Sequence, residues 1–200
     1  MIQKLFVYDI ILSGDNCSMK KKFETERLII REFENKDYKD LYEYASNPEV
    51  VKYLHFKKYE SLADAKERIK DLKDKYLLND KIGDYAIELK KQKKVIGSIN
   101  IMLDTRKAGG IIALGWVLNE KYQGFGYMTE CVKATLKYIK ENKLAMRIHA
   151  THDVENVKSG NVMKRVGMIF EGISRKAGEN NYHSRYDMAN YAILYEEIED

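Results

Sequence analysis

The stretch between residues 111 and 142 constrains this chain most. It opens with the apolar run Ile111-Ile112-Ala113-Leu114-Gly115-Trp116-Val117-Leu118 and passes through Gln123-Gly124-Phe125-Gly126. It then continues from Tyr127-Met128-Thr129-Glu130 with Met128, Val132, Thr135, Leu136 and Ile139 on one helical face. The first part suits a buried strand and the last an amphipathic helix. Two glycines two apart let the backbone turn tightly and come close to a ligand. The amides of the first helical turn then point at one spot, where the helix dipole favours an anion.

The remaining pattern alternates in the same way. Strands are expected over 27–31, 85–89, 95–103, 147–151, 168–175 and 185–195, and loops over 90–94 and 104–110. Helices are expected over 35–45, from Pro48, from Ser61 onward, and over 157–166. Pro48 sits where a missing N–H costs nothing. Ser61 with Asp64 marks a helix start, followed by Leu62, Ala65, Ile69, Leu72 and Tyr76 on one face. Gly167 stands where a left-handed helix end is expected. One α/β domain with a mixed sheet is the economical architecture.

Length agrees, since 200 residues make one domain at roughly 150 residues each. Such a chain buries a core without disulfides or a structural metal. Hydrophobic residues are 44%, charged residues 33% and aromatics 11%, which excludes a disordered chain. No apolar run approaches the roughly 18 residues of a membrane span, and residues 1–12 make a poor signal peptide. Cys17 and Cys131 show neither metal spacing nor a disulfide framework, so a cytoplasmic protein without metal is expected. The formal net charge of +4 suits an anionic ligand but not a nucleic-acid binder. The runs Lys20-Lys21-Lys22 and Lys90-Lys91-Gln92-Lys93-Lys94 read as solvated turns. The turn cluster Ser13-Gly14-Asp15-Asn16 precedes Met19. Residues 1–18 are therefore expected to be a loosely attached arm, or to lie upstream of a true start at Met19, with the domain spanning 19–200.

Two nucleotide motifs fail at the glycine loop. The dinucleotide fingerprint wants a third glycine at Thr129, and a P-loop wants Gly-Lys-Ser/Thr where the chain reads Gly126-Tyr127-Met128. Instead, Gln123-Gly124-Phe125-Gly126-Tyr127-Met128 resembles the acetyl-CoA pyrophosphate loop of GNAT-family N-acetyltransferases, Gln/Arg-x-x-Gly-x-Gly/Ala, with Met128 replacing the last small residue. Thr129-Glu130 is similar to the branch that includes ribosomal-protein alanine N-acetyltransferases. So are the opening segment Glu24-Thr25-Glu26-Arg27-Leu28-Ile29-Ile30-Arg31, the helix motif Asn156-x-x-Ser159 with Gly167-Met168, and Glu171-Gly172 with Asp187. The resemblance runs from residue 23 to 197.

That resemblance implies a single-domain GNAT fold, an α/β (α+β) architecture with a mixed central sheet flanked by helices. It implies direct acetyl transfer from acetyl-CoA to a primary amine, with a protein N-terminal α-amine as the first expectation. A small-molecule amine acetyltransferase and a CoA-binding regulatory protein are the alternatives. Cofactor contacts are expected from the backbone of Val117 and Leu118, from the amides of Gln123, Gly124, Phe125, Gly126, Tyr127 and Met128, and from Asn156. Asn156 reads equally well as a plain helix cap. Ser159 is the candidate acid for the departing thiolate, against the plain reading of a first-turn helical serine. The strand carboxylate of many relatives is Ala113 here, and their thiolate-protonating Tyr is Met163. Glu88, His149, His152 and Glu155 remain open as bases. Trp116 is expected in a core or pocket wall, His55 in solvent, and Cys131 as a packed thiol. Tyr182 and His183 fall in a loop where relatives shape the acceptor pocket, against the plain reading of a solvated loop, and segments 52–60 and 176–184 are expected to line that pocket. Oligomeric state stays open, a homodimer included.

Overall fold

The computed structural model describes residues 22–78, 83–104 and 110–199. The expected arm 1–18 and most of the loop 104–110 lie outside the described residues.

The opening segment divides into two short strands, β1 (Lys22–Glu24) and β2 (Leu28–Arg31), which pair antiparallel. Thr25 makes the turn: its hydroxyl accepts from the Leu28 amide at 2.9 Å, and its own N–H donates to the Leu28 carbonyl at 3.0 Å. A 3-10 turn over Asn35–Asp37 leads into α1 (Tyr38–Ala45), and α2 (Pro48–Val51) follows. Asn47 caps α2 by accepting from the Glu49 amide at 3.0 Å, with Pro48 in the first turn as expected. In α3 (Leu62–Leu78), Asp64 accepts from the amides of Glu60 and Ser61 at 2.7 and 2.9 Å. Ala65, Ile69 and Leu72 of the expected stripe are buried, whereas Leu62 is exposed. Its turn projects past the core.

Strands β3 (Gly83–Leu89), β4 (Lys94–Asp104) and β5 (Ile111–Leu118) come next, then α4 (Tyr127–Glu141), β6 (Arg147–Asp153), α5 (Val157–Arg165), β7 (Ile169–Gly178) and β8 (Tyr186–Leu194). The eight strands form one mixed sheet in the order β1-β2-β3-β4-β5-β6-β8-β7. Every neighbouring pair is antiparallel except β5 and β6.

That parallel pair positions the site. It holds only through Ile111–Arg147, Ile112–Ile148 and Ala113–His149. Beyond that the two strands no longer pair with each other, so the sheet splays open between them. β4 meanwhile pairs with β5 along its whole length. Gly97 permits this at Leu118, because a Cβ there would lie 2.3 Å from the Val117 carbonyl oxygen.

Two apolar cores lie on opposite faces. The larger joins the sheet to α4 and α5 through residues such as Ile87, Ile112, Val132, Ile139, Ile148 and Met163. All five predicted inward residues of α4 are buried. The smaller core packs α1 and α3 on β3 to β5 through Leu41, Tyr44, Ile69, Leu72, Ala86 and Val117. Gly167 ends α5 in the left-handed region, at φ +85°.

Candidate active site

The glycine loop sits at the mouth of the splay. After β5, Asn119 caps a 3-10 turn over Glu120–Tyr122, and the chain reaches Gly124 at φ +86° and Gly126 at φ +79°. A side chain is strained in either conformation. Gly126 then caps α4. Among the described residues, the amides from Gly124 to Thr129 donate to no backbone carbonyl, while the Glu130 amide bonds back to Gly126 at 3.0 Å. A Cβ at Gly124 would meet nothing within 4 Å. The loop therefore presents free N–H groups, helix-start polarity and open space together, the requirements of an anion cradle.

Gln123 departs from the expectation. Its amide donates to the Glu120 carbonyl at 3.1 Å, so it supplies no N–H to the cradle. Its side chain acts as a brace instead: Nε2 donates to the Leu118 carbonyl at 3.1 Å, and Oε1 accepts from Lys158 Nζ at 2.8 Å. One residue thus links the end of β5, the glycine loop and α5.

The backbone phase of β5 corrects a second expectation. The Asn119 amide donates to Ile96 across β4 at 2.8 Å. Backbone groups of a strand alternate sides, so those of Val117 and Gly115 face β4, while those of Trp116 and Leu118 face the splay. Val117 is in the cleft lining, but its backbone groups are turned to β4. The free strand edge belongs to Trp116 and to the Leu118 N–H, because Gln123 already caps the Leu118 carbonyl.

Splay and loop open into one cleft of about 1250 Å³. Its lining includes Val117, Leu118, Gln123, Gly124, Gly126, Tyr127, Met128, Asn156 and Ser159. The structure thus gathers these sequence-predicted residues, which are up to 42 positions apart, around one space. Phe125 is the exception: its ring points to solvent, and its carbonyl accepts from Arg27 at 3.0 Å. Lys133, Lys158 and Arg165 place positive charge along the α4–α5 side, and Trp116 forms wall as expected. The Asn156 carboxamide caps α5 by accepting from the Ser159 amide at 3.3 Å. Ser159 is half-buried in the lining.

The four open bases separate by position. Glu88 lies outside the cleft lining and is bound to Arg31 at 2.7 Å, which Asp37 also holds. His152 lies beneath α5 against Gly160, where a Cβ would come within 2.8 Å of its Nε2. Burial lowers its pKa. His149 stands at the last paired rung before the splay, outside the lining. Glu155 alone of the four lines the cleft. Met163, at the family's acid position, is buried in the core. Cys131 is also buried, which pushes its thiol pKa up. His55 is exposed.

Sequence reading missed two anchors. Glu130 on the first turn of α4 accepts from the Arg27 amide at 3.0 Å and from Arg27 Nε at 2.6 Å. Burial opposes its charge, but these bonds and the Thr25 hydroxyl lower its pKa. The loop is thereby fixed to the start of β2, and the Arg27 guanidinium lies 4.5 Å over the Tyr127 ring. Asp153, at the end of β6, is the second. Glu130 and Arg27 stood in the sequence as parts of the family resemblance, with no role attached; for Asp153 the only signal was a charged residue at an element end.

Among the described residues, no group of His, Cys, Asp or Glu could hold a metal ion, and no helix is long and apolar enough to cross a membrane.

Fold and cleft together define an acyltransferase scaffold, and comparison with known proteins gives the family. Residues 27–169 match the Acetyltransferase (GNAT) domain, and the chain belongs to that family. It is 35% identical over 173 residues to the uncharacterized N-acetyltransferase YnaD of Bacillus subtilis, covering 86% of this chain and 96% of that protein. A GNAT-family acetyltransferase structure from Bacillus anthracis superposes with a TM-score of 0.76 at 31% identity, covering 88% of this chain and 99% of the other. A shorter match, 30% over 84 residues, reaches the ribosomal protein uS5-alanine N-acetyltransferase of Escherichia coli, covering 42% of this chain and 43% of that enzyme. The protein is an N-acetyltransferase.

Proposed function

We propose that this enzyme moves the acetyl group of acetyl-CoA to a protein N-terminal α-amine. One observation carries the donor half: a free strand edge and a free amide cradle open onto the same cleft. The amide-rich pantetheine arm pairs with Trp116 and Leu118 as an added strand would. The pyrophosphate takes the amides from Gly124 to Met128, with Lys133, Lys158 and Arg165 nearby to balance its charge. One free N–H of the strand edge, the one not paired with the pantetheine arm, is the donor for the developing oxyanion, a role typically worth about 3–4 kcal/mol. Ser159 hydrogen-bonds the departing thiolate, and Asn156 holds the turn that presents it.

The acceptor half follows from proton chemistry. An α-amine has a pKa near 7.7–8.0 and is partly neutral at physiological pH, whereas a lysine amine near 10.4 is almost wholly charged. With Ala113 in place of a strand carboxylate, the site favours the amine that asks least of whatever base remains. The short match to the uS5-alanine enzyme supports the same acceptor class.

The test is a mass-spectrometric screen with acetyl-CoA and a panel of alanine-, serine- and methionine-starting peptides, free lysine and spermidine. The expected product is an α-acetylated peptide. Exclusive acetylation of spermidine or lysine would replace this acceptor with a small molecule. Acetyl-CoA binding without transfer to any amine would favour a CoA-binding regulator.

A further inference from the structure

The cluster with most to say beyond the cradle lies where β6 ends. Asp153 is only 3% exposed. Its Oδ2 stands 2.8 Å from His183 Nδ1 and accepts from Asn180 Nδ2 at 3.0 Å, while its Oδ1 accepts from the Glu155 amide at 3.0 Å. Burial works against its charge, but these donors prevail and lower its pKa. An ionised carboxylate only accepts hydrogen bonds, so the hydrogen of a neutral His183 belongs on Nδ1. Its Nε2 then carries a lone pair and stands 3.6 Å from Glu155 Oε1.

Two acceptors thus face each other beyond direct hydrogen-bond reach, one of them in the cleft wall. A donor from outside would satisfy both. The loop that carries His183 is fixed to the segment after α2, at the cleft wall. Asn181 Nδ2 donates to the carbonyls of Val51 and Phe56 at 2.9 and 2.6 Å. The Tyr182 ring meets Tyr53 edge-on at 6.1 Å and lies 3.9 Å from Lys52 Nζ, and Lys52 and Tyr53 line the cleft.

We propose that His183 and Glu155 form the docking and deprotonation site for the primary ammonium of the acceptor. This rests on the acetyltransferase reading and adds a base to it. Glu155 pairs with the ammonium, and His183 Nε2 takes one of its protons. The freed lone pair forms the C–N bond at the thioester carbon, and the C–S pair leaves as the CoA thiolate. A second nitrogen proton passes to that sulfur through Ser159, the third stays on the amide, and His183 returns its proton to water. Asp153 holds the imidazole in the competent tautomer, as a positioning residue. The other ionisable groups around His183 are Tyr182, with its ring 4.3 Å away, Lys52 beyond that ring, and Tyr186, whose pKa is raised by burial and by Asp153.

His183→Asn tests this cleanly, because asparagine can still donate to Asp153 but lacks the basic nitrogen. With acetyl-CoA and an alanine-starting peptide, kcat/KM should fall about 100- to 1000-fold, within the usual span for a lost base. The pH–rate limb that tracks the His183 imidazole by NMR should vanish. Melting temperature and acetyl-CoA affinity should stay put, and added imidazole should restore part of the rate. Glu155→Gln should raise the peptide KM about 10-fold, a loss of one charge-assisted contact, with kcat little changed. A folded His183→Asn enzyme with the native pH profile and KM would overturn the proposal. In the native enzyme, nitrogen-15 NMR should show His183 protonated at Nδ1 when neutral, with an Nε2 signal that moves on titration with methylammonium. The opposite tautomer, or a silent titration, overturns the pair whatever the acceptor proves to be. A native enzyme that fails to bind acetyl-CoA while the NMR titration succeeds refutes the donor reading instead.

Discussion

The two ends of the cleft are built from different materials. The end proposed for the acetyl donor is backbone: a strand edge at Trp116 and Leu118, two glycines at positive φ, and the amides that open α4. The end proposed for the acceptor is side chain: Asp153 and Glu155 from the end of β6, His183 and Tyr182 from the loop before β8, Lys52 and Tyr53 after α2. Backbone groups read the constant parts of a ligand, because any sequence supplies them wherever the chain conformation is right. Side chains read the variable parts.

The largest expected effect breaks the donor end. Gly126 holds φ +79°, and a Cβ there would lie 3.6 Å from the Arg27 guanidinium. Gly126→Val must leave that conformation, which turns the helix-start amides away from the cradle. Acetyl-CoA affinity, read by calorimetry, should fall at least about 100-fold, roughly 2.7 kcal/mol. An unchanged affinity in a folded variant would move the cofactor elsewhere.

Ser159 stands between the two ends, so its loss distinguishes chemistry from binding. Ser159→Ala should lower kcat about 10- to 100-fold, the range for one hydrogen bond to a developing charge. Affinity for acetyl-CoA should stay within a factor of about two, because the amide rather than the hydroxyl of Ser159 bonds Asn156. Full turnover would return Ser159 to an ordinary helical serine.

The same division governs what could be read from the sequence. Helix α4, strand β5 and the glycine pair were legible because each is a local pattern, a three–four stripe, an apolar run and a turn between them. The cradle followed from their order. The roles of Val117 and Trp116 were not legible, since one hydrogen bond from Asn119 to Ile96 sets the backbone phase. Nor was the turn at Thr25, which depends on a hydroxyl and on Glu130, 105 residues away. Asp153 and His183 are 30 residues apart, and neither has a motif around it. Hydrogen bonds between distant side chains leave no period in a sequence.

Gln123 gives a smaller test of the donor end, because its carboxamide ties the Leu118 carbonyl to Lys158. Gln123→Ala should free that carbonyl and loosen Lys158. Acetyl-CoA affinity should fall about 3- to 10-fold, the worth of one net hydrogen bond to a partly exposed site. No change would mean that the brace orders the loop without helping the ligand.

The smallest expected effect concerns the clasp at the turn before the glycine loop. Glu43 on α1 accepts from Lys94 at 2.6 Å, from Lys121 at 2.9 Å and from Asn119 at 3.2 Å. It fastens α1 to the start of β4 and to the turn that leads into the glycine loop. The Lys94 bond is the chief cause that brings its pKa from the usual 4.5 down to about 2, with burial opposing and Lys121 and Asn119 assisting. A carboxylate more acidic in the folded state than in the unfolded one stabilises the fold fully above the unfolded pKa, and that stability is lost as pH falls through the folded pKa. The window here runs from about 4.5 down to about 2. The contribution is on the order of 1 kcal/mol, since water screens a partly exposed cluster. Glu43→Gln should therefore lower the melting temperature slightly at pH 7 and flatten its decline between those two pH values. A variant whose melting temperature declines as steeply as the native protein's would show that other carboxylates drive the acid transition, and that the turn before the glycine loop holds without Glu43.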